Sequence, residues 1–137
     1  MTQITATNTL NYQVLIKGNS HEMIADEPTS VGGDDLGFSP FELLLSSLAA
    51  CTAMTVKMYA KRKDWPLKEI NLTLNHEKIS AEACDNCLTL EGKIDRINIK
   101  VGFEGDLDEE QIERLKYIAG RCPIHRSLVT ETQVNIL

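Results

Sequence analysis

The chain has 137 residues, 42% hydrophobic and 25% charged, with 20 acidic against 14 basic side chains and a formal net charge of −6. That hydrophobic fraction argues against disorder, and the length argues for one domain over residues 1–137. The acidic balance argues against nucleic acid or an anionic membrane as the main partner.

Leu10, Tyr12, Val14 and Ile16 alternate along the first segment, which predicts a strand. "KGNS" then supplies turn chemistry, and "HEMIAD" predicts a return strand. From Glu27 to Gly37 the residues are mainly Gly, Pro, Ser and Asp, which predicts a loop. "SPFE" opens the main helix: Ser39 stands at the N-cap, Pro40 at the first helical position and Glu42 three residues after the cap. The helix is expected to run to about Lys63, where "KRK" places cations at its negative end and Asp64-Trp65-Pro66 stops it.

This helix is apolar nearly all round and should be buried on several sides. A domain of this size can hardly bury it alone, so an oligomer is expected. The longest uncharged run, Leu43 to Val56, is too short to span a bilayer. No charged segment followed by an apolar one opens the sequence. A soluble, cytoplasmic protein that does not engage membranes is therefore expected.

Ile70, Leu72, Leu74 and His76 alternate, as do Ile97, Ile99, Val101 and Phe103, predicting two more strands. Between them lies "ISAEACDNCLTLEGK", which contains a Cys-x-x-Cys. A second helix follows "GDLDEEQ", capped by Asp106 or Asp108, with an apolar stripe of Ile112, Leu115, Ile118 and Ala119. Cys122 continues that stripe, and Pro123 breaks the helix or starts a short new one. "TQVNIL" predicts a last edge strand.

The four cysteines, Cys51, Cys84, Cys87 and Cys122, are core filler, metal ligands or redox actors if the chain works in a reducing compartment. Cys51, taken alone, reads as core. Its helical neighbours are Ser47, Leu48, Met54 and Thr55, with no cation among them. Cys122 lies in "GRCPIHR", beside Arg121, His125 and Arg126. It reads either as a stripe cysteine or as an activated thiol. His125 is either a hydrogen-bonding side chain at a helix end or a cationic neighbour of Cys122. Cys84 and Cys87 offer half of a zinc site, with His21, His76 and His125 as further candidates, or a redox dithiol, or solvent-facing loop cysteines.

Taken in order, "SPFELLLSSLAAC", "GKIDRI", "EGDLDEEQ" and "AGRCPIHRSL" resemble the OsmC/Ohr family of thiol peroxidases. The resemblance covers roughly residues 37–128. It implies an α+β OsmC-like fold, with two central helices packed on antiparallel or mixed sheets in an intertwined homodimer. It implies that Cys51 and Cys122 lie near each other at the subunit interface. By position, Cys51 would be the peroxidatic thiolate that attacks an organic hydroperoxide, and Cys122 the resolving thiol that condenses with the sulfenic acid. A thiol or dithiol reductant would restore the enzyme. No cofactor or metal is called for.

The peroxidases of the family add an arginine from an N-terminal loop and a glutamate ten residues before the helix cysteine. Here no arginine precedes Arg62, and Phe41 stands ten before Cys51. Glu42 is read as the partner of Ser39 in the cap, not as a catalytic carboxylate. Arg121, Arg126 and a charged His125 are the cations expected to act near Cys51. The chain thus resembles a divergent OsmC-like branch. The competing readings are a non-catalytic dimer of the same fold that binds a small apolar or thiol ligand, and a metal-binding module built on Cys84 and Cys87.

Overall fold

The computed structural model describes residues 1–137, which divide into two compact units, Met1–Ser46 and Ser47–Leu137. In the first unit, strands β1 (Thr5–Leu10), β2 (Gln13–Lys17) and β3 (Glu22–Ala25) form an antiparallel sheet in sequence order. The predicted strand through Leu10, Tyr12, Val14 and Ile16 is in fact a hairpin. Asn11 takes a left-handed conformation, φ 45°, and Leu10 pairs with Gln13 across the turn. Asparagine tolerates that conformation, and the Asn8 amide tightens the turn by donating to the Asn11 and Gln13 carbonyls. The apolar alternation survived the turn and hid it.

The return strand and the loop stand as expected. Gly18 N–H closes the first on the His21 carbonyl at 2.9 Å. The loop is organised by Asp26, which is buried and whose carboxylate accepts the N–H groups of Glu27, Asp34 and Leu36. Gly37 is required there, because a Cβ would collide with the Ile24 carbonyl. The loop delivers the chain to the cap of α1 (Pro40–Arg62), where the reciprocal box is present. Ser39 N–H donates to Glu42 Oε2 at 2.8 Å, and Glu42 N–H to Ser39 Oγ at 3.4 Å. The backbone N–H of Ser39, with its hydroxyl, holds the Glu42 carboxyl below the usual carboxylate range.

In the second unit, α1 ends where Asp64 turns left-handed, φ 53°, and Trp65 N–H reaches back to the Ala60 carbonyl. Strands β4 (Leu67–Ser80) and β5 (Lys93–Gly105) form one long antiparallel hairpin. Its register sets Ile70 opposite Phe103, Leu72 opposite Val101, Leu74 opposite Ile99 and His76 opposite Ile97. The two predicted apolar faces therefore become one. Helix α2 (Glu109–Ala119) starts at Asp108, whose side chain accepts Gln111 N–H while the Gln111 side chain accepts Asp108 N–H. Val56, Tyr59 and Ala60 of α1, Leu67 of β4, and Leu115 and Ala119 of α2 form the core. Trp65, Ile70, Val101, Phe103, Leu107 and Ile118 pack against it. The α+β architecture of helices on antiparallel sheets is as expected.

The 23-residue helix α1 is by length and composition long and apolar enough to cross a membrane, although its uncharged run alone is not. Within this chain one stripe of it is buried, Leu48, Thr52, Val56, Tyr59 and Ala60, while Met54 and Met58 are exposed. Two further expectations are corrected. First, Cys122 does not continue the α2 stripe. The helix stops at Gly120, and Cys122 becomes the N-cap of α3 (Pro123–Val129), with Pro123 at the first position, where its missing N–H costs nothing. Second, "TQVNIL" is not a strand. It has no ladder partner, and Thr132 instead turns back to donate to the Ser127 carbonyl at 3.0 Å.

Candidate functional site

Helix α1 carries Cys51 half-buried, and the next residue, Thr52, is wholly buried. Cys122 is also wholly buried. The Thr52 hydroxyl lies 3.5 Å from Cys122 Sγ and donates to it. A second donor, the His125 backbone N–H, lies 3.2 Å from the same sulfur. The junction of α2 and α3 is thereby docked on α1 at the residue adjoining Cys51. Two hydrogen bonds orient the Cys122 sulfur, and the αR first turn of α3 supplies one of them.

Thr52 was not singled out in the sequence. Its signal was a hydroxyl beside Cys51 in an otherwise apolar stretch, at a position whose i+4 neighbour is the core residue Val56. Of the predicted cations, His125 contributes its backbone N–H to Cys122, and the Arg121 guanidinium sits over the Tyr117 ring at 5.4 Å. Glu42 is engaged in the helix cap, as the sequence suggested.

Cys84 and Cys87 lie at the tip of the β4–β5 hairpin and are joined by a disulfide, with Cα atoms 5.8 Å apart. Asn86, φ 66°, supplies the left-handed residue of the tight turn between them. A metal module would need further ligands, yet no group of three or more His, Cys, Asp or Glu side chains gathers. Of the candidate histidines, His76 is instead held by Asp95, Nε2 to Oδ1 2.7 Å.

The other concentration of polar chemistry lies on the far part of α1. Tyr59 is buried and its hydroxyl accepts Arg114 Nε–H at 2.9 Å. Arg62, Lys63 and Arg114 all lie over its ring, at 5.4, 5.8 and 5.5 Å, and Trp65 meets it edge-on at 5.6 Å. The Arg114 hydrogen bond, helped by the charges of Arg114, Lys63 and Arg62, pulls the phenol below its ordinary value against the opposing effect of burial. The folded state thus binds the phenol proton less tightly than the unfolded chain does. The stability this gives is present above the unfolded phenol's pKa and is lost as pH falls through the lowered one. An ultraviolet titration should show a first tyrosinate transition below the usual value of about 10. Tyr59→Phe should remove that transition, and Arg114→Met should move it upward. An unchanged first transition in Tyr59→Phe would refute the assignment.

The family model described as OsmC-like protein matches residues 32–137. No curated protein sequence matches the chain. Among solved structures, the chain is similar to an OsmC-like protein from Mycoplasma pneumoniae. The TM-score is 0.73 at 22% identity, covering 93% of this chain and 86% of that one. It is also similar to the organic hydroperoxide resistance protein OsmC from Legionella pneumophila, with TM-score 0.66, 19% identity, and 93% and 88% of the two chains covered. The organic hydroperoxide resistance protein OhrB of Bacillus subtilis gives 0.61 at 18% identity, over 93% and 89%. At these identities the likeness speaks for the fold.

Proposed function

The chain belongs to the OsmC-like protein family, and from that premise we propose that it reduces organic hydroperoxides with Cys51 as the attacking thiolate and Cys122 as the resolving thiol. The observation that carries the reading is the contact of Cys122 Sγ with Thr52, one residue from Cys51 on α1. The similar structures from Legionella pneumophila and Bacillus subtilis are named for organic hydroperoxide resistance, which supports the same substrate class.

The Cys51 thiolate attacks one oxygen of the O–O bond, the alkoxide leaves and takes a proton, and Cys51 becomes a sulfenic acid. The Cys122 thiol then displaces hydroxide, which departs as water, and a Cys51–Cys122 disulfide forms. Two thiols of an external reductant return both sulfurs to thiols and leave as a disulfide. Thr52 and the His125 N–H are positioning groups, because they fix the Cys122 sulfur by hydrogen bonds.

Residues 1–137 act as a single domain in this proposal, in a soluble and cytoplasmic homodimer. Support for the dimer is the exposed apolar side chains Met54 and Met58 on α1, beside the buried stripe. The test is mass spectrometry of the protein after one equivalent of an organic hydroperoxide. A Cys51–Cys122 linkage is expected, and a product that leaves both cysteines as free thiols would overturn the assignment.

A further inference from the structure

We propose that Cys84 and Cys87 form a second redox site, a disulfide that an external thiol reductant opens and an oxidant restores. The inference does not depend on the hydroperoxide reading. The β4–β5 ladder runs unbroken from Glu69 opposite Glu104 to Ser80 opposite Lys93 without the disulfide, which lies beyond the end of that ladder. It encloses only Asp85 and Asn86, and a bond closing so short a loop gives the least restriction of the unfolded chain. A cross-link that ties no distant segments together has little structural purpose.

Access and anchoring point the same way. Both sulfur-bearing residues are half-exposed, Asp85 and Asn86 between them are exposed, and Leu88 and Leu90 just beyond are 99% and 80% exposed. An attacking thiolate therefore meets no covering side chains from the rest of the loop. The base of the loop is nevertheless held. Ala81 is buried and its N–H donates to the Gly92 carbonyl at 2.8 Å, Cys84 N–H donates to the Ala81 carbonyl, and Arg96 Nη2 donates to the Ala83 carbonyl at 3.2 Å. None of these bonds involves sulfur, so the two cysteines stay within reach of each other when the disulfide opens. Spacing of two residues gives the freed thiol a high local concentration at its partner, which is what closing the cycle requires.

The step is an ordinary exchange. A thiolate of the reductant bonds to one sulfur of the pair, the Cys84–Cys87 bond breaks, and the departing sulfur takes a proton. A second reductant thiol then displaces the attached cysteine. Two electrons have passed to the pair, and the reductant leaves oxidised as a disulfide. Low-molecular-weight thiols and protein dithiols share this chemistry, and the experiment separates them.

The wild-type chain is oxidised with glutathione disulfide and then mixed with reduced glutathione or with reduced thioredoxin at equal thiol concentration. Free thiols are alkylated over time, and the peptide carrying residues 84–87 is read by mass spectrometry, separately from those carrying Cys51 and Cys122. The expected result is that both sulfurs become alkylated with reductant, and that glutathione disulfide restores the bond in repeated cycles. A rate with thioredoxin more than about tenfold above that with glutathione assigns the site to protein dithiols, and similar rates assign it to small thiols. In Cys87→Ser, Cys84 should be recovered as a mixed disulfide with glutathione. A pair that resists both reductants, or one that is fully alkylated after oxidation because it never forms a bond, would overturn the proposal whatever Cys51 and Cys122 do.

Discussion

Replacing Cys51 with serine should reduce hydroperoxide consumption by about three orders of magnitude or more, to the background of the buffer. The serine hydroxyl is not ionised near neutral pH and cannot take an oxygen atom to form an equivalent of the sulfenic acid. The loss is therefore one of chemistry and not of binding, and a higher hydroperoxide concentration should not restore the rate. Serine is nearly isosteric with cysteine, and Cys51 is only half-buried, so the fold should survive. Circular dichroism and the melting temperature should confirm that.

Cys122→Ser should behave differently. Its first encounter with hydroperoxide should consume one equivalent, because Cys51 is intact. The sulfenic acid then has no partner and should be trapped by a dimedone-type reagent or driven to sulfinic and sulfonic forms by excess oxidant. A Cys51→Ser protein that turns over hydroperoxide at the wild-type rate would end the assignment of Cys51. A Cys122→Ser protein that cycles normally would remove Cys122 from the mechanism and leave Cys51 in it.

The second large effect concerns the core. Leu115 is fully buried on α2, in the cluster that includes Val56, Tyr59 and Ala60 of α1 and Leu67 of β4. Leu115→Ala removes the side-chain volume at the place where helix meets helix and strand. The neighbours are held by two helices and a long hairpin ladder, so the site has little freedom to collapse. A loss of about 2–5 kcal/mol of unfolding free energy is expected, read from the denaturant midpoint at constant m-value. Leu115→Met, which keeps most of the volume, should cost less than about 1.5 kcal/mol. Equal effects of the two substitutions would mean that the core is not packed around this side chain as described.

The features legible in the sequence share one property, that their causes lie within a few residues. Ser39 and Glu42 announced the start of α1 because a capping box is closed by hydrogen bonds across three residues. The alternation of Ile70, Leu72 and Leu74 announced β4 because a strand exposes its two faces at period two. The misreadings had a different origin. Leu10 and Val14 keep the same alternation on either side of the turn at Asn11, so periodicity could not locate the hairpin. Val134 and Ile136 alternate as well, but a strand exists only where another strand offers a ladder, and none in this chain offers one to residues 131–137.

The sequence by itself determined α1, β4, β5 and α2, in that order, and placed Cys51 inside a capped apolar helix and Cys84 and Cys87 in a connection between strands. Local hydrogen bonding and side-chain periodicity are enough for that. Only the tertiary structure decided which cysteine meets what. Thr52 and Cys122 are 70 residues apart, and their contact exists because α2 is packed on α1 through Leu115 and Ala119 and the chain then turns at Gly120 into α3. Each of those packing steps depends on apolar surfaces from distant segments closing on one another. Such closure leaves no pattern around Thr52 or Cys122 that neighbouring residues could reveal.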